Sequence, residues 1–180
     1  MSRIRITGGE WRSRLIPVLD APGLRPTPDR VRETLFNWLG QDLTGLRCLD
    51  LFAGSGILGF EAASRGAAAV TLVETDLKVF RRIAENCAAF DPKRLEPIRS
   101  DALKFAALAA EQGRRSDLLF LDPPYRQGWL DRLWPLLPAI VADGARVYAE
   151  AEMPLVPPGF LRPVKEGRAG QVYFHLLESA

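Results

Sequence analysis

From residue 48 to residue 150 the chain repeats one pattern: a short apolar run, a turn, then a stretch whose apolar side chains recur at helical spacing. The runs cover 48–52, 69–74, 96–99, 117–122 and 145–150; helices are expected at 57–65, ended by Gly66, and at 77–90, 102–111 and 129–141. Successive strand–helix units close as a mostly parallel sheet with helices on both faces, because each helix returns the chain to start the next strand in the same direction. The tail breaks the rhythm. Residues 160–165, a turn from Gly167 to Gly170 and residues 172–177 read as a closing hairpin. The expected class is α/β with a Rossmann-like sheet.

Ahead of the sheet, Ile4 and Ile6 alternate with arginines, Gly8-Gly9 can turn, and residues 11–18 alternate again, which predicts a basic β-hairpin. A Pro/Gly-rich link, 22–28, leads to a helix with Val31, Leu35, Trp38 and Leu39 on one face. Thr27 is its expected cap, Pro28 its first turn and Gly40 its end. This divides the chain into a hairpin extension, 1–24, and a sheet domain, 25–180. At 180 residues and 47% hydrophobic content one core is expected.

No apolar run reaches the roughly 18 residues of a membrane span, and Met1-Ser2-Arg3-Ile4-Arg5 lacks the apolar centre of a secretion signal. A cytoplasmic monomer without membrane partners is expected. Cys48 and Cys87 read as core thiols. The single histidine, His175, lies in an alternating strand and reads as structural, and with no paired-cysteine motif no metal is expected.

Charge is unevenly spread. Arg3, Arg5, Arg12, Arg14, Arg25, Arg30 and Arg32 face only Glu10, Asp20 and Asp29, so the first 32 residues carry +4 while the whole chain carries +2. Such an end suits a polyanion, whose phosphates arginine binds in a fork. Arg3, Arg5, Trp11, Arg12, Arg14, Arg30 and, beside the pocket, Arg126 are the candidate contacts to a nucleic acid.

Between the first sheet strand and its helix lies Asp50-Leu51-Phe52-Ala53-Gly54-Ser55-Gly56-Ile57-Leu58-Gly59. Gly54, Gly56 and Gly59 match G-x-G-x-x-G, and Glu74 ends the second strand about twenty positions on, where an acid can bond ribose hydroxyls. A dinucleotide dehydrogenase would show the same loop. Asp50, however, would sit poorly beside a pyrophosphate and suits the cationic amino group of a methionine moiety. Little chain is left for a dehydrogenase's second domain. S-adenosyl-L-methionine is therefore the expected cofactor. Its candidate ligands are Asp50, Phe52, Ala53, Gly54, Ser55, Gly56, Glu74, Thr75, Asp101, Ala102 and Asp122. Asp101 could accept from the adenine amine or cap the following helix. Ligands of open α/β sheets bind outside the carboxyl ends of the strands, where Asp50, Glu74, Asp101 and Asp122 converge.

At the tip of a fourth strand stands Asp122-Pro123-Pro124-Tyr125. An exocyclic NH2 conjugated to a base is a poor nucleophile, so it must be oriented and its developing charge met. Asp122 can accept one N–H, the prolines fix the backbone so that the Pro123 carbonyl can accept the other, and Tyr125 can stack on the base.

With the hairpin Arg5-Ile6-Thr7-Gly8-Gly9-Glu10-Trp11-Arg12, the block from Arg25 to Asn37, the glycine loop and the Asp122 to Tyr125 turn in view, the chain resembles the bacterial 16S ribosomal RNA guanine-N2 methyltransferases that modify guanine 966. The resemblance spans nearly the whole length. It implies a seven-stranded class I methyltransferase fold with a basic N-terminal hairpin for RNA, acting on the 30S subunit or its assembly intermediates. Ser13 departs from the family's frequent glycine and Thr7 from a common aliphatic residue. Rival readings are another amino methyltransferase, acting on adenine, cytosine or glutamine, and a non-enzymatic rRNA-binding assembly factor, against which the intact loop and turn count.

Overall fold

The structure is a computed structural model and describes residues 1–22, 24 and 27–180. Gly23 and Pro26 of the link, and Arg25 and Pro26 of the Arg25 to Asn37 block, lie outside the described residues, as does one side of the division at 24/25.

The strands β1 (Ser2–Arg5) and β2 (Leu15–Val18) pair antiparallel, with Arg3 opposite Pro17 and Arg5 opposite Leu15. Helix α1 (Asp29–Leu39) follows. The sheet then runs through β3 (Arg47–Asp50), α2 (Ile57–Ser64), β4 (Ala69–Glu74), α3 (Leu77–Phe90), β5 (Leu95–Arg99), α4 (Ala102–Glu111) and β6 (Ser116–Leu121). After α5 (Trp129–Leu133) and α6 (Leu137–Ile140) come β7 (Val141–Ala151), β8 (Leu161–Ala169) and β9 (Val172–Ser179). The seven strands lie in the order β5-β4-β3-β6-β7-β9-β8, with β9 antiparallel to both its neighbours and the other pairs parallel. This is the expected class I methyltransferase architecture. The chain winds outward from β3 to β5 and crosses back to β6, so a crevice opens between the carboxyl ends of β3 and β6.

Alternation along each strand splits the core in two. Cys48, Leu72, Phe120 and Tyr148 face one way, with Leu35 and Phe36 of α1 and residues of α2 and α3, while Leu49, Val73, Leu121 and Val147 face Phe105 of α4 and Leu137 of α6. The hairpin is part of the first core: Ile4, Ile6, Trp11 and Ile16 are buried in it. Burial pushes both thiols, Cys48 and Cys87, up to about 12.

Several boundaries differ from those expected. The helix over 129–141 is interrupted by a 3-10 turn at Trp134–Leu136, because Pro135 and Pro138 remove backbone donors and crowd the preceding turn. Thr27 does not cap α1; Pro28 occupies the capping position, and the Thr27 carbonyl accepts from Arg32 Nε at 3.1 Å. Gly167 is not in a turn. It lies within β8 opposite Phe174, whose ring would be 2.4 Å from an added Cβ, and the reversal is made near Gly170 at φ +61°. Among the described residues no helix is long and apolar enough to cross a membrane, and no group of three or more His, Cys, Asp or Glu could hold a metal ion.

Candidate active site

Register places the acids. Asp50 pairs with Phe120, and Phe120 with Tyr148, so two residues further on Asp122 and Glu150 rise from the same sheet face as Asp50. Glu74, two residues beyond Leu72, does the same on β4. Four carboxyls thus line the carboxyl ends of four adjacent parallel strands. Asp50 is 1% exposed and its carboxyl is pushed up to about 7, by burial first and then by the charges of Glu74 and Glu150, against one bond from Phe52 N at 3.2 Å. Asp122 lies well above the ordinary carboxylate range for the same leading reason, reinforced by a hydrogen bond and charge from Glu150 and by Asp50.

The loop after β3 is fixed by its own backbone. Ala53 N donates to Val73 O at 2.9 Å, Gly56 N to Ala53 O at 2.7 Å, and Ile57 N to Ser55 Oγ at 3.3 Å. Gly54 and Gly56 stand at φ +56° and +84°, where a side chain would be strained. Glu74 spans the loop: Gly54 N and Asp76 N each donate to one of its oxygens at 2.9 Å, orienting the carboxylate and leaving a lone pair on each oxygen. Phe52 meets Trp129 edge to face at 5.4 Å. Thr75 is exposed just after β4. Ser100 N donates to Glu74 O at 3.2 Å, bringing the start of α4 beside this edge. There Asp101 Oδ1 caps Leu103 N and Lys104 N, at 2.9 and 3.1 Å, ahead of buried Ala102. Helix capping is thus its established work, and Oδ2 is the oxygen left for a ligand.

Beyond β6, Asp122 is partly accessible, Pro123 buried, and Pro124 exposed; Tyr125 is 41% exposed. Arg126 follows in the left-handed region at φ +62°, its amide donating to Glu152 Oε1 at 2.5 Å and its side chain almost wholly in solvent. That bond ties the turn to the segment after β7. Tyr148 and Glu150, which the sequence pattern does not single out, are buried on the same sheet face. Tyr148 Oη donates to Glu150 Oε1 at 2.5 Å within the buried face. The signal in the sequence is that Glu150, like Asp50, Glu74, Asp101 and Asp122, is an acid at or just beyond the end of a strand.

The basic end is smaller than its sequence suggests. Arg32 is fully buried, giving one N–H to Glu61 Oε2 at 3.1 Å and another to Asp29, while Arg65 reaches Glu61 Oε1 at 3.1 Å. Thr7, the departure from an aliphatic residue, donates its amide and hydroxyl to Glu61 at 2.7 and 2.6 Å. Trp11 is corrected as an RNA contact. It is 7% exposed, packed edge-on against Phe90 at 5.2 Å with Arg94 over its ring. Arg14 lies over Phe90 at 3.9 Å but is exposed, as are Arg3, Arg5, Arg12 and Arg30. Arg3 and Arg5 share the outward hairpin face with exposed Leu15. His175 is buried in β9, accepting from Leu155 N at 3.4 Å, with its proton affinity lowered by burial.

The description "conserved hypothetical protein 95" belongs to the family that matches residues 4–178. Ribosomal RNA small subunit methyltransferase D of Escherichia coli is 44% identical over 98% of this chain and 90% of its own length. The protein of the same name from Haemophilus influenzae is 39% identical over 98% and 94%. The solved structure of yhhF from Escherichia coli superimposes with a TM-score of 0.89 at 43% identity, covering 99% of this chain and 98% of that one. With nearly the whole length matched at such identity, the chain belongs to the conserved hypothetical protein 95 family, alongside ribosomal RNA small subunit methyltransferase D.

Proposed function

We propose that this protein transfers a methyl group from S-adenosylmethionine to a small-subunit ribosomal RNA, at the N2 amine of a guanine, position 966 of 16S rRNA by the resemblance set out above. The observation that carries the reading is the Asp122 to Tyr125 turn beside the buried Asp50 and the loop held by Glu74. The curated relatives' name supports the RNA class.

The residues present fit the methyl donor. Asp50, sealed from water beside the glycine turn, calls for a cationic partner such as an ammonium or sulfonium, and the two oriented oxygens of Glu74 suit a ribose diol. Bound there, S-adenosylmethionine supplies an activated methyl group. The protein's own work is positioning. Tyr125 offers a ring for a base splayed from an RNA loop, and Asp122 with the Pro123 carbonyl accepts the two N–H groups, turning the nitrogen lone pair toward the methyl. Negative charge fixed in advance faces the positive charge that develops on N2.

Incubation with labelled S-adenosylmethionine and either naked 16S rRNA or 30S particles, followed by mapping, should place one methyl on a guanine N2. Label on adenine N6, cytosine N4 or protein would replace the guanine reading, and no label on any of them would remove the enzyme reading. At saturating S-adenosylmethionine, Asp122→Ala should lose at least about a hundredfold in single-turnover rate. A near-normal rate would remove Asp122 from the chemistry.

A further inference from the structure

Four acids stand in a row across the carboxyl ends of adjacent strands: Glu74 on β4, Asp50 on β3, Asp122 on β6 and Glu150 on β7. The first three have work in the function proposed above. Glu150, two strands away from β3 and its glycine loop, has none, yet it is only 5% exposed. Register sets it next to Asp122. Leu121 pairs with Ala149, and one residue further on Asp122 and Glu150 take the same face of neighbouring strands, which in a sheet lie about 4.8 Å apart. Tyr148, fully buried two residues earlier on that face, donates its hydroxyl to Glu150 Oε1 at 2.5 Å. One oxygen is thus anchored, and Oε2 is the oxygen left for a ligand. On the other flank β9 brings Phe174, which carries no charge. The charge of Glu150 adds to burial in holding Asp50, Asp122 and Tyr148 above their ordinary ranges, as expected of an acid set among them.

What lies beside an amine differs from base to base. In adenine and cytosine the ring nitrogen next to the exocyclic amine carries a lone pair, and in a glutamine side chain the neighbour is a carbonyl oxygen. Guanine N2 is flanked on one side by N1, which carries a hydrogen. A second acceptor next to the one that holds the amine therefore fits guanine and none of the others, and an ionised carboxyl only accepts. We propose that Glu150 is the residue that selects guanine: Oε2 accepts the N1–H of the base whose amine Asp122 holds, and Tyr148 fixes the rotation of the carboxyl. This role rests on the function proposed above. Adenine or cytosine in the same pose would set a lone pair against a largely buried carboxylate and leave both without a donor.

2-Aminopurine separates this contact from the amine itself, because it keeps the 2-amino group and turns N1 into an acceptor. On small-subunit rRNA, free or in 30S particles, with 2-aminopurine in place of the target guanine, the wild type should lose at least about a hundredfold in kcat/KM. Glu150→Gln reverses the polarity. With the amide oxygen taken by Tyr148 Oη, its NH2 group faces N1 as a donor. The preference of Glu150→Gln for guanine over 2-aminopurine should shrink at least about tenfold from that of the wild type. Damage to packing would slow both substrates alike, and any contact to guanine O6 is lost equally by every protein compared, so the change in the ratio reads the N1 contact. Tyr148→Phe, smaller by one oxygen, repeats the test if Glu150→Gln does not fold, and its preference should narrow by about fivefold as the carboxyl is freed to turn.

A wild type that methylates 2-aminopurine within about threefold of guanine, or variants that keep the full wild-type preference, would overturn the proposal. If the wild type places no methyl on a guanine N2, the function proposed above fails. If it does and the preference is the same in the variants, only the role of Glu150 fails.

Discussion

Asp50 keeps its proton to about pH 7 because burial, more than any neighbour, disfavours its charge. An unfolded aspartate titrates near about 3.9, so between those values the native chain holds a proton that the unfolded chain has lost. The stability this confers is complete below the unfolded value and is lost as pH rises through the native one. Relative to wild type, ligand-free Asp50→Asn should therefore gain stability from about pH 4 to about pH 7, by up to roughly 4 kcal/mol, and hold that gain at higher pH, read by urea unfolding at each pH. Curves that stay parallel would show that Asp50 ionises as freely in the fold as in solution. A cationic ligand beside this carboxyl, as in the function proposed above, would favour the carboxylate and displace the proton. At the same scale, Ser13 stands at φ +71°, a conformation that glycine adopts without strain and serine only at a cost.

Between elements, the tightest joint is where the N-terminal turn meets the end of α2. Glu10 N donates to Ser64 O at 2.8 Å, Ser64 Oγ donates to Gly8 O at 2.6 Å, and Gly9 lies so close that an added Cβ would be 1.9 Å from the Ser64 carbonyl oxygen. Gly9→Ala should cost about 3 kcal/mol or more, from its φ of +77° and the backbone clash together. Gly128→Ala is the control, in the left-handed region at φ +67° with open space around an added Cβ, and should cost only about 1 kcal/mol. Equal melting-temperature losses would mean the hairpin is not docked as described. Such joints are what the sequence could not disclose. The strand–helix rhythm was legible because helix and strand periods are local properties, and β4, α3 and α4 begin and end where the pattern predicts. The carboxyl-end rule likewise located Asp50, Glu74 and Asp122. Contacts between distant segments leave no local period: Thr7 and Arg32 on Glu61, Phe174 over Gly167, and Glu150 beside Asp122 all depend on register and packing. Trp11 misled for the same reason, since its neighbours in sequence are basic while its neighbours in space are Phe60 and Phe90.

For the molecule as a whole, the consequence of that joint is rigidity. The hairpin's inner face shares a core with α2, α3 and the sheet, so its outer face, bearing Arg3 and Arg5, is held at a fixed place relative to Asp122. Phosphates bound on one would register a base at the other without a moving arm. Of the seven arginines in the first 32 residues, Arg32 is spent inside the protein on Glu61 and Asp29, which leaves the exposed hairpin face as the main basic surface near the N-terminus. Affinity should then depend on counterion release. Arg3→Glu with Arg5→Glu should weaken binding of a single-stranded rRNA fragment and reduce the slope of log K against log salt by about 1.4, two contacts at about 0.7 each. At saturating RNA the methylation rate should change little, so the loss would fall on KM. Arg162→Glu with Lys165→Glu, both exposed on the far strand β8 where Arg162 pairs with Glu178 at 3.1 Å, makes the same change in charge away from the hairpin and should leave the slope as it was. If both variants shift the slope alike, the dependence reflects net charge and the hairpin has no special hold on RNA. If neither does, RNA is gripped elsewhere on the protein.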